Sequence, residues 1–170
     1  MITLETSRLS LHRLTTDDAE FILELVNDPS WLRFIGDRGV KTLDDARAYI
    51  LKGPAVSSYE RFALGQFLVR RKADGVAIGI CGLLKRPALE DVDVGFAFLP
   101  QFTRQGYAFE AATAILAYGR RELGLIRIVA VTSPDNSASI RLLEKLGLRF
   151  EKNIRLSADA PELRLYGSDS

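Results

Sequence analysis

The chain has 170 residues, of which 47% are hydrophobic and 26% are charged, and its formal net charge is +1. This length suits one domain with a full hydrophobic core, and the small net charge excludes a global attraction to nucleic acid or an acidic membrane. The single cysteine, Cys81, cannot form an internal disulfide, which favours a reducing compartment. With no signal-peptide or membrane-spanning run in the sequence, one soluble cytoplasmic domain over residues 1–170 is expected.

The N-terminal third carries strand and helix signals. Arg8–Leu14 alternates polar and apolar residues and predicts a strand. Two helices should follow, the second running through Ile50. Each is opened by a capping threonine with an aspartate three residues later: Thr15 with Asp18, and Thr42 with Asp45. Asn27-Asp28-Pro29 is expected to end the first, because proline disfavours helix at the residue before it.

The middle of the chain reads as a three-stranded meander. Its strands are predicted at Phe62–Arg71, Val76–Leu84 and Val92–Phe98. Ala73-Asp74-Gly75 is typical of a hairpin turn between the first two.

The C-terminal half alternates helices and strands. Helices are predicted at Gly106–Leu123 and Asn136–Leu146, and strands at Ile126–Thr132, Arg149–Leu156 and Glu162–Tyr166. Gly124 and Gly147 stand where glycines commonly end helices. The strand–helix–strand unit from Val92 to Thr132 should cross over right-handed and place two parallel strands side by side. Together these elements predict an α+β fold with a mixed sheet covered by helices.

Residues 99–111 combine a strand end, a short loop and a helix that begins at a glycine. The first N–H groups of a helix lack internal partners and lie at the positive end of its dipole, so they suit a pyrophosphate. Gly106 allows close backbone approach, Ala108 keeps the next contact small, and Arg104 can add a charge-assisted hydrogen bond. The same arrangement also serves as a plain connection in many α/β proteins.

Pro100, then Gly106-Tyr107-Ala108 followed by Glu110-Ala111, resembles the acetyl-CoA loop of GNAT acetyltransferases, usually Gln/Arg-x-x-Gly-x-Gly/Ala. Thr103 stands where Gln or Arg is usual, which removes a side chain but no backbone amide. Further blocks resemble, in order along the chain, the branch that acetylates ribosomal-protein N-termini: Thr6-Ser7-Arg8-Leu9, Asp91-Val92-Asp93-Val94-Gly95-Phe96, and Asn136-Ser137-Ala138-Ser139 with Leu142 to Gly147.

The resemblance covers nearly the whole chain and implies a GNAT-like fold: a mixed, mostly antiparallel sheet with a splayed parallel strand pair, flanked by helices. It also implies acetyl-CoA as cosubstrate. No metal is expected, because no His, Cys, Asp or Glu cluster in the sequence has metal-ligand spacing. The Phe96 N–H is expected near the acetyl oxygen and the Phe98 main chain along the pantetheine arm. Loop contacts with the cofactor are expected from Arg104, Gln105, Gly106, Tyr107 and Ala108.

Two residues of the last block are given roles by the resemblance. It implies that Ser139 gives a proton to the departing thiolate and that Asn136 bonds the pantetheine or an ordered water. The alternative is purely local: Asn136 caps the helix and Ser139 fills its first turn.

Asp91 and Asp93 should lie on one side of their strand, because side chains alternate along it. Either carboxylate could draw a proton from an ammonium group, directly or through water. Asp93 is closer to the expected acetyl position and is preferred. The alternative, a solvated polar face, applies above all to Asp91.

The sequence therefore predicts an enzyme that moves an acetyl group from acetyl-CoA to a primary amine by direct attack in a ternary complex. The acceptor stays open among a protein N-terminus, a polyamine and a small amine. Aromatic and apolar residues of the two-helix region either line the acceptor pocket or simply pack: Trp31, Phe34, Ile35 and Tyr49. The alternative function is a CoA-binding sensor or partner domain without catalysis. No nucleic-acid or membrane partner is expected, and the chain should be a monomer or homodimer.

Overall fold

A computed structural model describes residues 3–52 and 64–168. The strands, numbered along the chain, are β1 (Thr3–Glu5), β2 (Leu9–Arg13), β3 (Gly65–Arg71), β4 (Ala77–Leu84), β5 (Val92–Phe98), β6 (Ile128–Thr132), β7 (Arg149–Ile154) and β8 (Leu163–Gly167). The α-helices in the described residues are α1 (Ala19–Val26), α2 (Pro29–Phe34), α3 (Leu43–Lys52), α4 (Tyr107–Arg121) and α5 (Ser137–Lys145). Within those residues, no helix is long and apolar enough to cross a membrane.

The eight strands form one sheet in the order β1-β2-β3-β4-β5-β6-β8-β7. Every neighbouring pair is antiparallel except β5 and β6, which are parallel. Helix α4 connects those two strands, as predicted for the unit from Val92 to Thr132. The predicted fold class, a mixed and mostly antiparallel sheet flanked by helices, is confirmed.

The sheet is buried on both faces, because alternate side chains of its central strands enter two different cores. On β3, Phe67 and Val69 join a core with helix α4, whereas Leu68 joins a core with α1, α2 and α3. The α4 core contains the fully buried Leu9, Ile115 and Ile128, which come from three distant parts of the chain. The two faces therefore carry separate sets of helices.

Both predicted capping boxes are present. Asp18 accepts from the Thr15 N–H at 2.9 Å, and its helix begins through a short 3₁₀ turn. Thr42 accepts from the Asp45 N–H at 3.0 Å, and the Asp45 carboxylate accepts from the Thr42 N–H at 3.1 Å. Such reciprocal bonds satisfy the first N–H groups of a helix, which have no partner inside it.

Helix α1 ends at Val26 with Asn27 as its C-cap, so the prediction that Asn27-Asp28-Pro29 ends the first helix is confirmed. The helix that follows, α2, was not predicted. Pro29 begins α2, and the Asp28 carboxylate caps it by accepting from the Ser30 N–H at 2.9 Å. Proline at the first helical position costs nothing, because the N–H it lacks has no acceptor there anyway.

Other boundaries shift by a few residues. Strand β6 begins at Ile128 rather than Ile126, whose side chain is 73% exposed. Strand β1 was not predicted, since three residues are too few for a periodic pattern. The predicted start at Phe62 lies outside the described residues, and β3 is described from Gly65.

Candidate active site

The site is built around the place where β5 separates from β6. The two strands pair only at their starts, Val92 with Ile128 and Asp93 with Val129. On its other side β5 stays paired with β4 as far as Phe98, opposite Gly79. The second half of β5 therefore has a bonded neighbour on one side and a gap on the other.

The direction of the β5 backbone groups follows from one hydrogen bond. The Leu99 N–H donates to the Ile78 carbonyl of the β4 segment at 3.0 Å. In an antiparallel pair, bonded and non-bonded positions alternate, so Ala97 also faces β4. The N–H and C=O groups of Phe96 and Phe98 then face the gap. This is the orientation that pairing with an extended pantetheine arm requires.

The loop after β5 leads into helix α4 through unusual backbone angles. Arg104 has φ of 62° and Gly106, the N-cap, has φ of 81°. Left-handed φ is costly for a residue with a side chain but not for glycine. Arg104, Gln105 and Gly106 are exposed, while Tyr107 is only 8% exposed and anchors the helix start. The N–H groups of residues 107–109 thus open towards solvent at the positive end of a 15-residue helix.

A network from the N-terminal strand holds this loop, and sequence reasoning had assigned it no role. The Arg8 guanidinium donates to Glu110 Oε1 at 2.8 Å and to the Gln105 carbonyl at 2.9 Å. It also stacks 4.4 Å from the centre of the Tyr107 ring. Thr6 Oγ1 donates to Glu110 Oε2 at 2.5 Å. These contacts link the first sequence block to the glycine loop, and a Cβ atom on Gly106 would lie 3.2 Å from the Arg8 Nη2.

Thr103, where the loop departs from the usual Gln or Arg, has a local role. Its hydroxyl donates to the Pro100 carbonyl at 2.7 Å, and its N–H donates to the same carbonyl at 3.2 Å. These bonds close the 3₁₀ turn of Pro100–Phe102. Thr103 therefore uses both its hydroxyl and its N–H to hold the local turn.

Beside the gap, on the face that carries α1 to α3, lies a cleft of about 350 Å³. Asp93, Phe96 and Ser139 all line it, so the structure brings together three of the predicted site residues. Its opposite wall comes from the N-terminal helices, with Trp31, Ile35 and Tyr49. We call this space the acceptor cleft. Gln66, Arg38 and Arg86 also line it.

Asp93 is 1% exposed, and its carboxylate is held by Arg86. The Arg86 Nε lies 3.1 Å from both carboxylate oxygens. Burial raises the pKa of Asp93 above its ordinary value, and the positive charge of Arg86 offsets part of that rise. Arg86 follows β4 and carried no sequence motif, so its pairing with Asp93 was not predicted.

Asp91 has a different environment. Its carboxylate accepts from Arg127 Nε at 3.1 Å, and the same guanidinium bonds Glu151 at 2.5 Å and 2.8 Å. Asp91 does not line the acceptor cleft among the described residues. Its carboxylate therefore belongs to an ion-pair network that joins the start of β5 to the β6 and β7 side of the sheet.

Asn136 caps helix α5, with its side-chain oxygen accepting from the Ser139 N–H at 3.2 Å. The local alternative is thus present in the structure for Asn136. It does not exclude the cofactor role, because the cap uses only Oδ1 and the Asn136 amide nitrogen can donate elsewhere. Ser139 is half-buried, lies in the first turn of α5 and lines the acceptor cleft.

A second, larger depression of about 520 Å³ lies between α5 and the β7–β8 pair, where Glu144, Arg149 and Arg164 line it. None of the predicted site residues lines it. We place the candidate site in the smaller cleft, because the unpaired β5 backbone and the buried Asp93 meet there.

The acetyltransferase (GNAT) domain family matches residues 8–149 of this chain. YnaD, an uncharacterised N-acetyltransferase of Bacillus subtilis, is 31% identical over 148 residues, covering 87% of this chain and 83% of the relative. The chain belongs to the GNAT acetyltransferase family. Its members take their acyl group from acetyl-CoA, so this GNAT protein is an acetyl-CoA-dependent acyltransferase.

Solved structures show the same GNAT fold. An acetyltransferase from Agrobacterium tumefaciens superposes with a TM-score of 0.83 at 22% identity, covering 100% of this chain and 95% of that one. A ribosomal-protein-S5-alanine acetyltransferase from Vibrio fischeri superposes with a TM-score of 0.81 at 16% identity, covering 99% and 97%. The predicted resemblance to this group of GNAT proteins is confirmed at the level of the fold.

The residues of this GNAT chain fit acetyl-CoA. The loop at Gly106 has backbone N–H groups that could bind a pyrophosphate, and the gap beside Phe96 and Phe98 has a strand edge that could pair with a pantetheine arm. The acceptor cleft adjoins this strand edge at Asp93, the last β5 residue that pairs with β6. Among residues 3–52 and 64–168, no group of three or more His, Cys, Asp or Glu side chains could hold a metal ion.

Proposed function

We propose that this protein transfers the acetyl group of acetyl-CoA to a primary amine by direct attack in a ternary complex. The supporting observation is the separation of β5 from β6 after Asp93, which turns the backbone of Phe96 and Phe98 towards a gap. The gap leads on one side to the Gly106 loop and on the other to the acceptor cleft. Both reactants can thus meet at one place, as direct transfer requires.

In the proposed reaction the amine nitrogen bonds to the thioester carbon and the carbonyl oxygen becomes an oxyanion. The Phe96 N–H donates to that oxyanion, and a fixed backbone donor of this kind lowers the barrier because it needs no reorganisation. The carbon–sulfur bond then breaks. Ser139 gives its hydroxyl proton to the thiolate, and the proton lost by the attacking nitrogen restores the hydroxyl. Asn136 and the loop residues Arg104 to Ala108 hold the cofactor.

An amine that enters as ammonium must first lose a proton. We propose that Asp93 takes this proton. The transfer passes through a water molecule, because both carboxylate oxygens already face Arg86. Its raised pKa makes it a stronger base than an exposed carboxylate. The α-amino group of a peptide N-terminus ordinarily has a pKa of about 7.7–8.0, so an acceptor of that kind needs little help. Asp91 is given no part, since its carboxylate pairs with Arg127.

The test combines binding with turnover. Acetyl-CoA should raise the melting temperature of the purified protein, because a ligand that binds only the folded state stabilises it by mass action. Adding an accepted amine should release free CoA, followed with a thiol reagent. Binding without release across peptides, amino acids and polyamines would support the CoA-binding domain without catalysis. No binding well above about 1 mM acetyl-CoA would overturn the cofactor assignment.

Two serines on the first turns of α5 offer a matched control. Ser139→Ala should lower kcat about 100-fold, in the range typical for loss of a proton donor, and leave the KM for acetyl-CoA nearly unchanged. Ser137→Ala removes an exposed hydroxyl from the same helix and should leave both constants as they are. Equal effects of the two changes would contradict the role of Ser139.

A further inference from the structure

The acceptor cleft is unusually rich in positive charge for a site that binds an amine. Among the described residues that line it, Arg38 and Arg86 are cationic and Asp93 is the one carboxylate. Asp93 is 1% exposed, and both of its oxygens face Arg86. A second cationic group on the acceptor would find no accessible carboxylate there.

Both arginines retain donors for an anion. Arg86 uses only its Nε on Asp93, so its two terminal amino groups can serve another acceptor. Arg38 is exposed, and it forms no ion pair with a carboxylate in the described part of the chain. Arg38, Arg86 and Tyr49 line the same cleft, and burial raises the pKa of Tyr49 while the charges of the two arginines oppose the rise.

Two buried polar atoms also lack partners among the described residues. They are Nε1 of Trp31, a donor, and Oε1 of Gln66, an acceptor. Trp31 is 6% exposed and Gln66 is 9% exposed, and both line the acceptor cleft. A buried polar atom without a hydrogen bond is costly, so these two atoms are best explained as contacts for a ligand.

The strand register explains how Gln66 reaches the cleft from β3. Gln66 lies opposite Gly82 on β4, and Gly82 lies opposite Gly95 on β5. A Cβ atom on Gly95 would come within 3.1 Å of the Gln66 Nε2, and one on Gly82 would lie 2.7 Å from the Gln66 Cα. Because both glycines lack side chains, the Gln66 amide can extend across two strands to the edge where the acetyl group is expected.

We infer that the acceptor is a primary amine that itself carries a carboxylate close to the amine, as an α-amino acid does. Its carboxylate binds Arg38 and the terminal amino groups of Arg86, with the Trp31 Nε1 donor in reach. The amine nitrogen donates to Gln66 Oε1, which orients its lone pair towards β5. Apolar walls at Ile35, Ile80 and Leu84 favour an uncharged side chain.

This inference rests on the proposed function and narrows its substrate. A polyamine or aminoglycoside would bring additional positive charge next to Arg38 and Arg86, and like charges at close range repel. An amide or ester of the same amino acid would lose the charge-assisted hydrogen bonds, which are about twice as strong as neutral ones.

The test is a matched series in the CoA-release assay: leucine, leucinamide, isopentylamine and spermidine. Leucine should exceed leucinamide in kcat/KM by about tenfold or more, the size expected for one charge-assisted hydrogen bond. The amine of leucinamide loses its proton more readily than that of leucine, so a preference for the acid cannot arise from amine ionisation. Isopentylamine and spermidine should be poorer still.

Two arginine variants test whether Arg38 causes the preference for leucine over leucinamide. Arg38→Gln should bring leucine and leucinamide within about threefold of each other, mainly by raising the KM for leucine. Arg33→Gln removes the same charge from the neighbouring helix α2, where Arg33 is 65% exposed and pairs with Asp135 outside the cleft. It should keep the preference. A preference that survives Arg38→Gln overturns the assignment of the carboxylate site.

Gln66→Met tests the proposed hydrogen bond between the attacking amine nitrogen and Gln66 Oε1. A purely structural role of Gln66 would not give a lower kcat at an unchanged melting temperature. Removing a buried, unpartnered oxygen should leave the melting temperature equal or higher, while kcat for leucine falls about tenfold. A lower melting temperature with unchanged kcat overturns the role of Gln66.

Failure of the inference and failure of the proposed function give different results. CoA release with leucinamide or spermidine equal to or faster than with leucine overturns the amino-acid inference and leaves acetyl transfer standing. No release with any of these amines, nor with N-terminal peptides, despite acetyl-CoA binding, overturns both.

Discussion

The Gly106 loop and the acceptor cleft lie at opposite ends of the same gap, and they differ in what presents the binding groups. At the loop, the helix start offers backbone N–H groups, and the Arg8 side chain bonds Glu110 and the Gln105 carbonyl. In the cleft, side chains line the open space. They come from α2, the segment after it, β3 and the segment after β4.

This difference explains why one GNAT fold can keep its cofactor and change its acceptor. A backbone site needs only a strand end, a glycine and a helix start, so it tolerates changes such as Thr103. A side-chain site changes its chemistry with a single substitution. The predictions below test this contrast, beginning with the largest expected effect.

Arg86→Ala should be the most damaging, because it leaves the buried Asp93 carboxylate without its partner. Breaking a buried ion pair costs about 3–5 kcal/mol, and we expect the lower end since the Arg86 side chain is 33% exposed. Denaturant unfolding at pH 7 measures it. The control is Arg47→Ala, whose partner Asp44 is 92% exposed and which should change stability by under about 0.5 kcal/mol.

The same variant has a predictable pH dependence. Burial raises the Asp93 pKa, and loss of Arg86 raises it further. A carboxyl whose folded pKa is raised is stabilised in its protonated form, so the penalty is largest above that pKa and fades below it. The stability gap between Arg86→Ala and the unmodified protein should therefore shrink as the pH falls from 7 towards 4. A gap independent of pH would mean that lost packing, not charge, causes the damage.

Gly106→Val tests the backbone side of the contrast. A β-branched residue at φ of 81° is strained by about 1–2 kcal/mol or more, and the loop should shift to relieve it. The KM for acetyl-CoA should rise about tenfold or more. Gly124→Val places the same strain at φ of 66° beyond the other end of α4, with open space around it, and should leave that KM unchanged.

Glu110→Gln should have a moderate effect on stability. Burial raises the Glu110 pKa, but the hydrogen bonds from Thr6 and Arg8 outweigh it and lower the pKa below its ordinary value. A lowered pKa gives stability that is present above the unfolded pKa and lost as pH falls through the folded one. Glu110→Gln should therefore cost about 1–2 kcal/mol at pH 7 and much less near pH 3. Glu144→Gln, an exposed position on α5, should cost nothing measurable.

Thr103→Gln should have the smallest effect, although it restores the residue type usual at this position. If the backbone carries cofactor binding, the KM for acetyl-CoA should change less than about threefold, equivalent to about 0.7 kcal/mol. Steady-state kinetics measures it directly. A tenfold improvement would show that side chains contribute to the loop as they do to the cleft, and the contrast would fail.

The same contrast explains which features of the molecule could be predicted from the sequence. The parallel pair and the Gly106 loop were predictable because each depends on local signals, such as a β-branched run or a glycine at a helix start. Helix α2 was missed because Asn27-Asp28-Pro29 was interpreted only as a helix end, although Asp28 before Pro29 is also a local signal for a helix start.

The acceptor cleft could not be predicted in the same way. Gln66 and Asp93 are 27 positions apart in the sequence, and they come together only through the register of three strands. The paired glycines at 82 and 95 were a possible signal, but it becomes readable only once their register is known. Arg86 belongs to no sequence motif. A loop arginine can pair with a strand carboxylate at many different sequence separations, so the pair has no fixed spacing that a motif could record.

The unpaired stretch of β5 is also a sheet edge that lies inside the molecule. Edges at a protein surface invite any extended chain to pair with them, which is why proteins shorten, charge or cover them. Strands β5 and β6 pair at Asp93 and Val129. The gap between them is therefore closed at that end and narrows towards it. A thin, unbranched arm fits such a wedge more easily than a polypeptide strand, which carries side chains on both faces. We therefore expect the shape of the gap to disfavour pairing of this edge with another chain.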